Sequence, residues 1–296
     1  MYYLRVGNPA EEIPVVRVND SFYDLRSITS DIDKHFLALG AEEMNRKVTN
    51  ALENHQLENF EISDNDRIGA PISTPTAVIC VGQNYAAHAA ESGAKPPEIP
   101  IIFLKHPNTV VGPYDDVLIP PDSEAVDWEV ELGIVIGARA RYLSSPEAAE
   151  KHIAGFVVSN DVTERDYQFE QSGGQWSKGK CAESFNPLGP ELVTPNELDW
   201  ASLKLWSQVN GETRQSSSTS DMIFGVSQLV YHLSQYMVLE PGDLINTGTP
   251  EGVGLSGKFP YLRDGDVMEL GIEGLGTQRQ RLYNAIPDGT SSGDFQ

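Results

Sequence analysis

The chain has 296 residues, of which 43 are acidic and 21 basic, so its formal charge at neutral pH is −22. Such an excess of negative charge repels nucleic acids and anionic membrane surfaces, and we expect neither as a partner. With 40% apolar and 22% charged residues, the sequence has the composition of a globular protein with room for one main domain and a smaller one.

The cysteines and the longest uncharged segment restrict the expected compartment. Cys80 and Cys181 are too few for a disulfide framework and lack the spacing of a zinc motif, which fits a reducing cytoplasm. The first residues lack the basic stretch and apolar core of a signal peptide. Residues 68–90 contain prolines, amides and a histidine, so they do not predict a membrane span. We therefore expect a cytoplasmic protein.

Residues 1–70 are predicted to form a small N-terminal α/β domain. Short strands are expected at residues 2–6 and 14–18, and Ser30 is expected to cap a first helix. A second helix is indicated by apolar side chains at helical spacing, namely Met44, Val48, Ala51 and Leu52. Residues 69–75, rich in glycine and proline, then predict a rigid connector.

Residues 71–285 are predicted to form the main domain, and residues 286–296 a flexible tail. The pair Asn210-Gly211 between two apolar segments is typical of a hairpin turn. Helices are expected at residues 226–236 and, with a weaker pattern, at 146–153. Strands are expected at residues 77–81, 101–104, 129–136, 155–159, 203–209 and 243–247. Since strands dominate, the predicted fold class is α+β, mainly β.

Three acidic residues alternate with apolar ones in residues 127–132. In a regular strand Asp127, Glu129 and Glu131 would share one face, with the Cα atoms of the two glutamates about 6.6 Å apart. Carboxylates crowded beside an apolar strand favour a hard divalent cation, because its positive charge relieves both their repulsion and their desolvation. This segment therefore predicts a metal site.

Asp161 is expected to complete that site. It follows the apolar strand predicted at residues 155–159, and functional side chains often emerge from a core where strands end. The alternatives are a solvated strand face and structural ion pairs with Arg165 and Lys180. The spacing alone leaves these alternatives open.

A histidine and a glutamate lie three residues apart in a short alanine-rich segment. In a helix His88 and Glu91 would share one face, so the carboxylate could orient the imidazole and raise its basicity, as in a general-base dyad. Such pairs also occur often by chance on exposed helices. Residues 92–97, flexible and then rich in proline, have a composition that suits a lid.

Two further loop segments offer polar groups. In residues 173–190 glycines flank Lys180, whose ammonium could meet a negative charge, although the spacing of a phosphate-binding loop is absent. In residues 246–254 hydroxyl groups and backbone amides could hold a carboxylate. The alternatives are a solvated lysine and a plain turn.

Taken in order, these segments resemble the fumarylacetoacetate hydrolase family over roughly residues 75–283. The residues that carry the resemblance are Gly82, Asn84, Tyr85, His88, 103–105, 127–132, 160–166, Gly179, Lys180, 187–190, 247–250, Gly252 and Val253. The resemblance implies a catalytic domain built as a mixed β-sandwich or roll, usually in a homodimer, with bound Mg²⁺ or Mn²⁺.

The resemblance also implies roles for individual residues. The implied metal ligands are Glu129, Glu131 and Asp161. The implied catalytic residues are His88, Glu91 and Lys180. The implied substrate-binding residues are Lys105, Gln168, Thr249 and Tyr85. Lys105 is expected near the entrance of the site.

The implied substrate is a small anionic 2-oxo acid. The expected reaction is hydrolysis of a carbon–carbon bond in a 2,4-diketo acid, which gives pyruvate and a second acid. Oxaloacetate decarboxylation and isomerisation of a hydroxy-dienoate would use the same site and stay open. Residues 164–170 and 175–180 are most similar to members that cleave 2,4-diketo-3-deoxy sugar acids.

Three positions depart from the family pattern and concern substrate placement. Glu183 stands where aspartate is common, Cys181 where serine is usual, and Gln83 where other side chains occur. Two alternatives of another class also remain. One is a catalytically inactive, metal-stabilised binding protein, and the other is a sugar-binding β module, which predicts exposed aromatic platforms.

Overall fold

A computed structural model describes residues 1–91, 93 and 95–287. Strand makes up 32% of the chain and helix, with short 3₁₀ helices included, 21%, which confirms the α+β, mainly β class. The strands are β1 (Tyr2–Val6), β2 (Ile13–Val18), β3 (Ser21–Asp24), β4 (Val78–Gly82), β5 (Ile101–Lys105), β6 (Val110–Val111), β7 (Val117–Ile119), β8 (Val126–Asp127), β9 (Val130–Ile136), β10 (Ile153–Asn160), β11 (Thr163–Glu164), β12 (Asn186–Pro187), β13 (Leu192–Val193), β14 (Lys204–Val209), β15 (Glu212–Ser218), β16 (Leu244–Asn246), β17 (Val267–Ile272) and β18 (Gly276–Asn284).

The helices are short apart from α2. They are α1 (Lys34–Leu37), α2 (Gly40–Glu53), α3 (Ala86–Glu91), α4 (Pro146–Ala149), α5 (Arg165–Phe169) and α6 (Val226–Ser234). The expected helical pattern is confirmed in α2, where Met44, Val48 and Ala51 are buried. The cap expected at Ser30 is wrong, because the carboxylate of Asp33 accepts the first free amides of α1 at 2.9 and 3.0 Å.

Two larger sheets form the body of the part of the chain that the structure describes. One has nine strands in the order β3-β2-β1-β13-β10-β9-β16-β4-β5, and the other has five in the order β15-β14-β17-β18-β7. The turn between β14 and β15 is the one expected at Asn210-Gly211, and both residues have the positive φ that a tight hairpin turn requires.

Strands β9 and β10 lie side by side in the larger sheet and are buried along their whole length. Their apolar side chains join those of β14 and β17 in one hydrophobic cluster, so the two sheets share a core. This burial fixes the ends of β9 and β10, which is where the candidate site lies.

The N-terminal segment continues the larger sheet. Strand β1 pairs antiparallel with β13, with Tyr2 opposite Val193, and Tyr3 packs in the same apolar cluster as Val157 and Leu188. A boundary near residue 70 would therefore divide one continuous sheet. Whether residues 1–70 fold as a separate domain stays a prediction.

The structure describes only part of the predicted lid and of the predicted flexible tail. The predicted lid at residues 92–97 is described except at positions 92 and 94, and of the predicted tail only residues 286 and 287 are described. Within the described residues, no helix is long and apolar enough to cross a membrane.

Candidate active site and metal centre

The pairing of β9 with β10 brings the three predicted metal ligands together. The antiparallel register places Ser159 opposite Glu131, and beyond the end of β10 the amide of Asp161 donates to the carbonyl of Glu129 at 3.0 Å. One carboxylate oxygen from each of Glu129, Glu131 and Asp161 lies within 4.8 Å of the others. All three residues are buried. We call these three residues the carboxylate triad.

Asp127 does not join the carboxylate triad, so the expectation of one regular strand through residues 127–132 is wrong. Strand β8 ends at Asp127 and β9 begins only at Val130. The carboxylate of Asp127 instead accepts the amides of Gly254 and Leu255 at 2.7 and 3.0 Å and forms an ion pair with Arg165 at 2.7 Å.

Three buried cations surround the triad. Nζ of Lys180 lies 2.7 Å from a carboxylate oxygen of Glu129 and 2.8 Å from one of Asp161, while Nζ of Lys105 lies 2.5 Å from the other oxygen of Asp161. Arg165 contacts Glu129 at 2.7 Å. Burial raises the pKa of Glu129, but the positive charges of Lys180 and Arg165 outweigh it and hold this pKa well below its usual value.

Glu131 is the exception in this arrangement. Its carboxylate accepts the amide of Gly248 at 2.7 Å, and no ion pair to it is found among the described residues. Burial and the nearby charges of Asp161 and Glu129 raise the pKa of Glu131 well above its usual value. The triad therefore has a buried acid that lacks a counter-charge.

The charge and chemistry of this centre fit a divalent ion. When all four are ionised, the carboxylates of the triad and Asp127 face the three cations Lys105, Arg165 and Lys180, which leaves one excess negative charge. A divalent ion would convert it to one excess positive charge. Carboxylate oxygens are the hard ligands that Mg²⁺ and Mn²⁺ prefer. The triad could therefore hold such an ion and then attract an anionic substrate.

A cavity of about 330 Å³ opens onto this centre. Its charged part is lined by Glu129, Glu131, Arg165, Lys180, His88 and Glu91. Its other walls are lined by Val81, Gly82, Gln83, Phe103, Gln168, Phe169, Trp176, Thr249 and Leu255. The cavity thus combines charged side chains with apolar and neutral polar ones, which is typical of a small-molecule site.

His88 reaches the cavity from helix α3. The loop before this helix is held by Asn84, whose side-chain amide donates to the carbonyls of Phe224 and Thr247 and accepts the amide of Phe224 at 2.8 Å. His88 is 7% exposed, and its Nδ1 has no hydrogen-bond partner among the described residues. Burial lowers the pKa of His88, which favours the neutral imidazole that a base requires.

Glu91 has other partners than His88 in this conformation. One carboxylate oxygen accepts the amide of Gly252 at 2.9 Å and the other accepts from Nζ of Lys258 at 2.7 Å. Burial raises the pKa of Glu91, and the bonds to Lys258 and Gly252 more than reverse this, so the pKa is lowered. The negative charge needed for a dyad is present, but the pairing of Glu91 with His88 stays a prediction.

Two of the predicted substrate-binding residues line the cavity. Gln168 accepts a hydrogen bond from Arg165 at 2.9 Å. Thr249 donates its hydroxyl to the carbonyl of Val130 at 2.9 Å and accepts from the buried amide of Gln215 at 2.8 Å. Both side chains are therefore fixed before any ligand binds.

The other two lie elsewhere. Lys105 is 3% exposed and bonded to Asp161, so its expected position near an entrance is wrong. Tyr85 is 1% exposed and packs in the core between the sheets, where burial raises the pKa of its hydroxyl. The order of motifs along the chain indicated neither position, because both depend on packing against distant segments.

Sequence reasoning missed the aromatic wall of the cavity, which consists of Phe103, Phe169 and Trp176. The ring of Trp176 lies edge-on to both phenylalanines, with centroids 5.7 and 6.0 Å apart. Gly82 makes room for it, since a Cβ there would lie 2.5 Å from the indole ring. Trp176 is thus half-buried in the wall of a cavity, in contrast to the exposed platform that a sugar-binding module predicts.

Comparison with known proteins identifies the family. Residues 77–283 match the family model described as fumarylacetoacetate (FAA) hydrolase, C-terminal. The chain belongs to this family. A 2,4-didehydro-3-deoxy-L-rhamnonate hydrolase of Sphingomonas sp. (strain SKA58) is 49% identical over 220 residues, which cover 73% of this chain and 76% of that protein.

Two further proteins show how widely the names within this family differ. The mitochondrial oxaloacetate tautomerase FAHD2A of Bos taurus is 47% identical over 209 residues, which are 70% of this chain but only 66% of the bovine protein, slightly less than two thirds of its length. The solved structure of fumarylacetoacetate hydrolase from Exiguobacterium antarcticum has a TM-score of 0.81 and 35% identity, and the match covers 96% of this chain and 100% of that one.

The family membership and the family fold expected from the sequence are thus confirmed. The named relatives are enzymes that act on small acids, a hydrolase and a tautomerase among them. The particular reaction, the metal and the role of each site residue in this chain remain predictions.

Proposed function

We propose that the protein is a divalent-metal-dependent hydrolase of 2,4-diketo acids, which it cleaves to pyruvate and a second acid. The observation that carries the proposal is a buried histidine without a partner on Nδ1, lining the same cavity as a carboxylate triad. The similarity to the rhamnonate hydrolase supports this choice among the family's reactions.

The head of the substrate binds at the triad. A Mg²⁺ or Mn²⁺ ion held by Glu129, Glu131 and Asp161 would supply a Lewis acid for the carboxylate and 2-oxo oxygens. Lys180 stabilises the negative charge that develops on the pyruvate part. Gln168 and Thr249, both fixed by hydrogen bonds of their own, orient the rest of the substrate.

His88 acts as the general base. Its neutral imidazole takes a proton from water, whose oxygen forms a bond to C4 of the substrate. The bond between C3 and C4 then breaks, C4 leaves as the second acid, and the electron pair stays on the pyruvate enolate, which is protonated at C3. One water is consumed and no redox partner is needed. Glu91 holds the protonated imidazole once it leaves its partners Gly252 and Lys258.

Pyruvate release tests the proposal. The protein is treated with EDTA and then assayed with a 2,4-diketo acid, with and without added Mg²⁺ or Mn²⁺. We expect equal amounts of pyruvate and the second acid, and only when the metal is present. If EDTA treatment leaves turnover unchanged, the reaction does not require the metal. If no diketo acid is cleaved, the proposed hydrolase activity is wrong.

The second candidate is proton transfer or decarboxylation on oxaloacetate, which the similarity to the bovine tautomerase favours. His88 would then move a proton between C3 and the oxygen on C2, and no water would add. Assays with the two kinds of substrate distinguish the two candidates. Enol–keto exchange or release of carbon dioxide with oxaloacetate, without cleavage of any diketo acid, would favour the oxaloacetate reaction. An inactive binding protein would show a metal-dependent melting temperature without any turnover.

We further propose a homodimer that works in the cytoplasm, with residues 1–70 as a small N-terminal domain and 71–285 as the catalytic domain. The mitochondrial relative is the reason to test the compartment. Light scattering after size exclusion gives the oligomeric state, and limited proteolysis near residue 70 tests the boundary. A monomer, or cleavage confined to other sites, would contradict these two expectations.

A further inference from the structure

Gln83 has an unusual backbone conformation. Its φ is +55°, in the left-handed region that residues other than glycine rarely occupy. The residue lies between β4 and α3 and lines the cavity. Such conformations cost free energy and persist where the surroundings enforce them, often at functional sites.

The neighbours of Gln83 enforce this conformation. Asn84 is fully buried and held by three side-chain hydrogen bonds, to Phe224 in both directions and to the carbonyl of Thr247. On the other side, Gly82 lies directly against Trp176. The chain is thus fixed on both sides of Gln83, which keeps this residue on the cavity wall.

The same neighbours place Gln83 next to both the aromatic wall and the triad, which adjoin each other where Nζ of Lys180 lies 5.0 Å from the ring centroid of Phe103. Gly82 touches the aromatic wall, while Asn84 lies against Gly248, whose amide binds Glu131 of the triad. A substrate with its head at the triad and its tail toward the aromatic wall therefore passes Gln83. The side-chain amide of Gln83 makes no hydrogen bond to the described residues, so it is available to a ligand.

The charges of the described walls disfavour a second carboxylate on the substrate. One lysine and one arginine line the cavity, Lys180 and Arg165, and both already pair with carboxylates at 2.7 to 2.8 Å. Glu91 adds a further carboxylate to the lining, and it is already paired with Lys258 at 2.7 Å, so the described lining offers no unpaired lysine or arginine to a second substrate carboxylate. An uncharged tail avoids both the repulsion and the loss of hydration that a carboxylate would suffer there.

We propose that Gln83 determines specificity by hydrogen bonding to a hydroxyl group on an uncharged tail of the substrate, with the carbon chain of that tail packed on the aromatic wall. This inference rests on the proposed hydrolase function. It makes a hydroxylated diketo acid a better substrate than one whose tail is a plain methyl group, and a tail that ends in a carboxylate the poorest.

Three 2,4-diketo acids with the same head test the inference, with a methyl, a hydroxymethyl or a carboxymethyl tail. For the wild type we expect kcat/KM with the hydroxymethyl tail to exceed that with the methyl tail about tenfold, the weight of one good hydrogen bond. The carboxymethyl tail should give the lowest value. Gln83→Gly should bring the ratio of hydroxymethyl to methyl close to one.

Glycine suits this experiment because it adopts a positive φ without strain, so the variant is expected to fold. Gln83→Asn keeps an amide and also tolerates this conformation, and it should restore part of the ratio. His55→Gly is the matched control, since His55 is exposed, has a φ of +54° and is not among the residues that line the cavity. It should keep the wild-type ratio.

The outcomes separate the two proposals. The role of Gln83 would be wrong if the acids are cleaved but Gln83→Gly leaves the ratio of kcat/KM for the hydroxymethyl and methyl tails unchanged. It would also be wrong if the wild type prefers the carboxymethyl tail. In both cases the proposed hydrolase activity would still hold. If the wild type cleaves none of the three acids, both the proposed hydrolase activity and the role of Gln83 are wrong.

Discussion

The carboxylate triad and helix α3 face the same cavity but are held in different ways. The triad lies at the adjoining ends of two central strands, and buried cations contact two of its members within 2.8 Å. Helix α3 has six residues, and its last one, Glu91, is held by one backbone amide and by Lys258, whose side chain is 65% exposed.

This difference separates binding from chemistry. The triad is built before any ligand arrives, because its position follows from the burial of β9 and β10. The base depends on a short helix whose partner residue is engaged elsewhere. We infer that metal binding and proton transfer can be disrupted independently, and the following experiments test that separation.

The largest effect is expected from Asp161→Ala. This change removes the carboxylate that pairs with Lys105 and one of the two that pair with Lys180, all in a fully buried place, and breaking a buried ion pair costs about 3–5 kcal/mol of unfolding free energy. Metal binding should be lost as well. Chemical unfolding of the metal-free protein measures the first effect, with Asp33→Ala, a half-buried helix cap, as the control. A loss equal to that of the control would show that the lysines find other partners.

His88→Ala should affect chemistry alone. We expect kcat to fall by about two to four orders of magnitude, the usual weight of general-base catalysis, with the affinity for Mn²⁺ unchanged. Steady-state kinetics and a metal titration measure the two quantities. Weakened metal binding would show that the two regions are not separable, and unchanged turnover would remove His88 from the mechanism.

Glu131→Gln is expected to act in the opposite direction to Asp161→Ala. Glutamine keeps an acceptor for the amide of Gly248 and removes a buried acid whose raised pKa disfavours folding above the pKa of the unfolded carboxyl group, so the metal-free protein should gain about 1 kcal/mol of stability at pH 8. The variant should also bind Mn²⁺ more weakly. Unfolding curves with and without Mn²⁺ test both, and a destabilised metal-free variant would contradict the assignment of charges.

The pH dependence of turnover reports on His88. A base must be neutral, so activity is full above the pKa of His88 and falls as pH decreases through it. Burial lowers this pKa from 6.5, so the acid limb of kcat/KM is expected below pH 6.5. An acid limb whose midpoint lies at or above pH 6.5 would contradict the assignment of His88 as a base with a lowered pKa.

Lys258→Met should have the smallest effect. Its ion pair with Glu91 is largely exposed at the lysine, and such pairs contribute roughly 0–1 kcal/mol. We expect a change of a few fold in kcat or KM, without a change in metal affinity. Arg46→Met removes a comparable exposed pair on α2 and serves as the control. A large loss of activity would mean that Lys258 has a direct part in the reaction.

How far the sequence predicts the site depends on how local each interaction is. Glu129 and Glu131 follow from alternation in one strand, and Asp161 from the end of the next. Asp127 was misplaced because the chain leaves the strand between β8 and β9, which alternation does not reveal. The general fold was predictable for the same reason, since apolar periodicity marks strands and helices one at a time.

The partners of α3 could not be predicted from local patterns. Glu91 bonds to residues 161 and 167 positions away, and Asn84 to one 163 positions away. Lys105 was expected near an entrance, yet the pairing of β5 with β4 carries it into the core beside Asp161. Such contacts arise only when distant segments pack.

Calorimetric titration with Mn²⁺ tests most directly whether metal binding is independent of the proposed base. The proteins compared, all treated with EDTA, are the wild type, His88→Ala and Glu131→Gln. We expect one ion per chain with equal affinity in the wild type and His88→Ala, and binding weaker by about tenfold or less in Glu131→Gln, because a ligand is lost. Absence of binding in the wild type, or equal affinity in all three proteins, would contradict the metal centre.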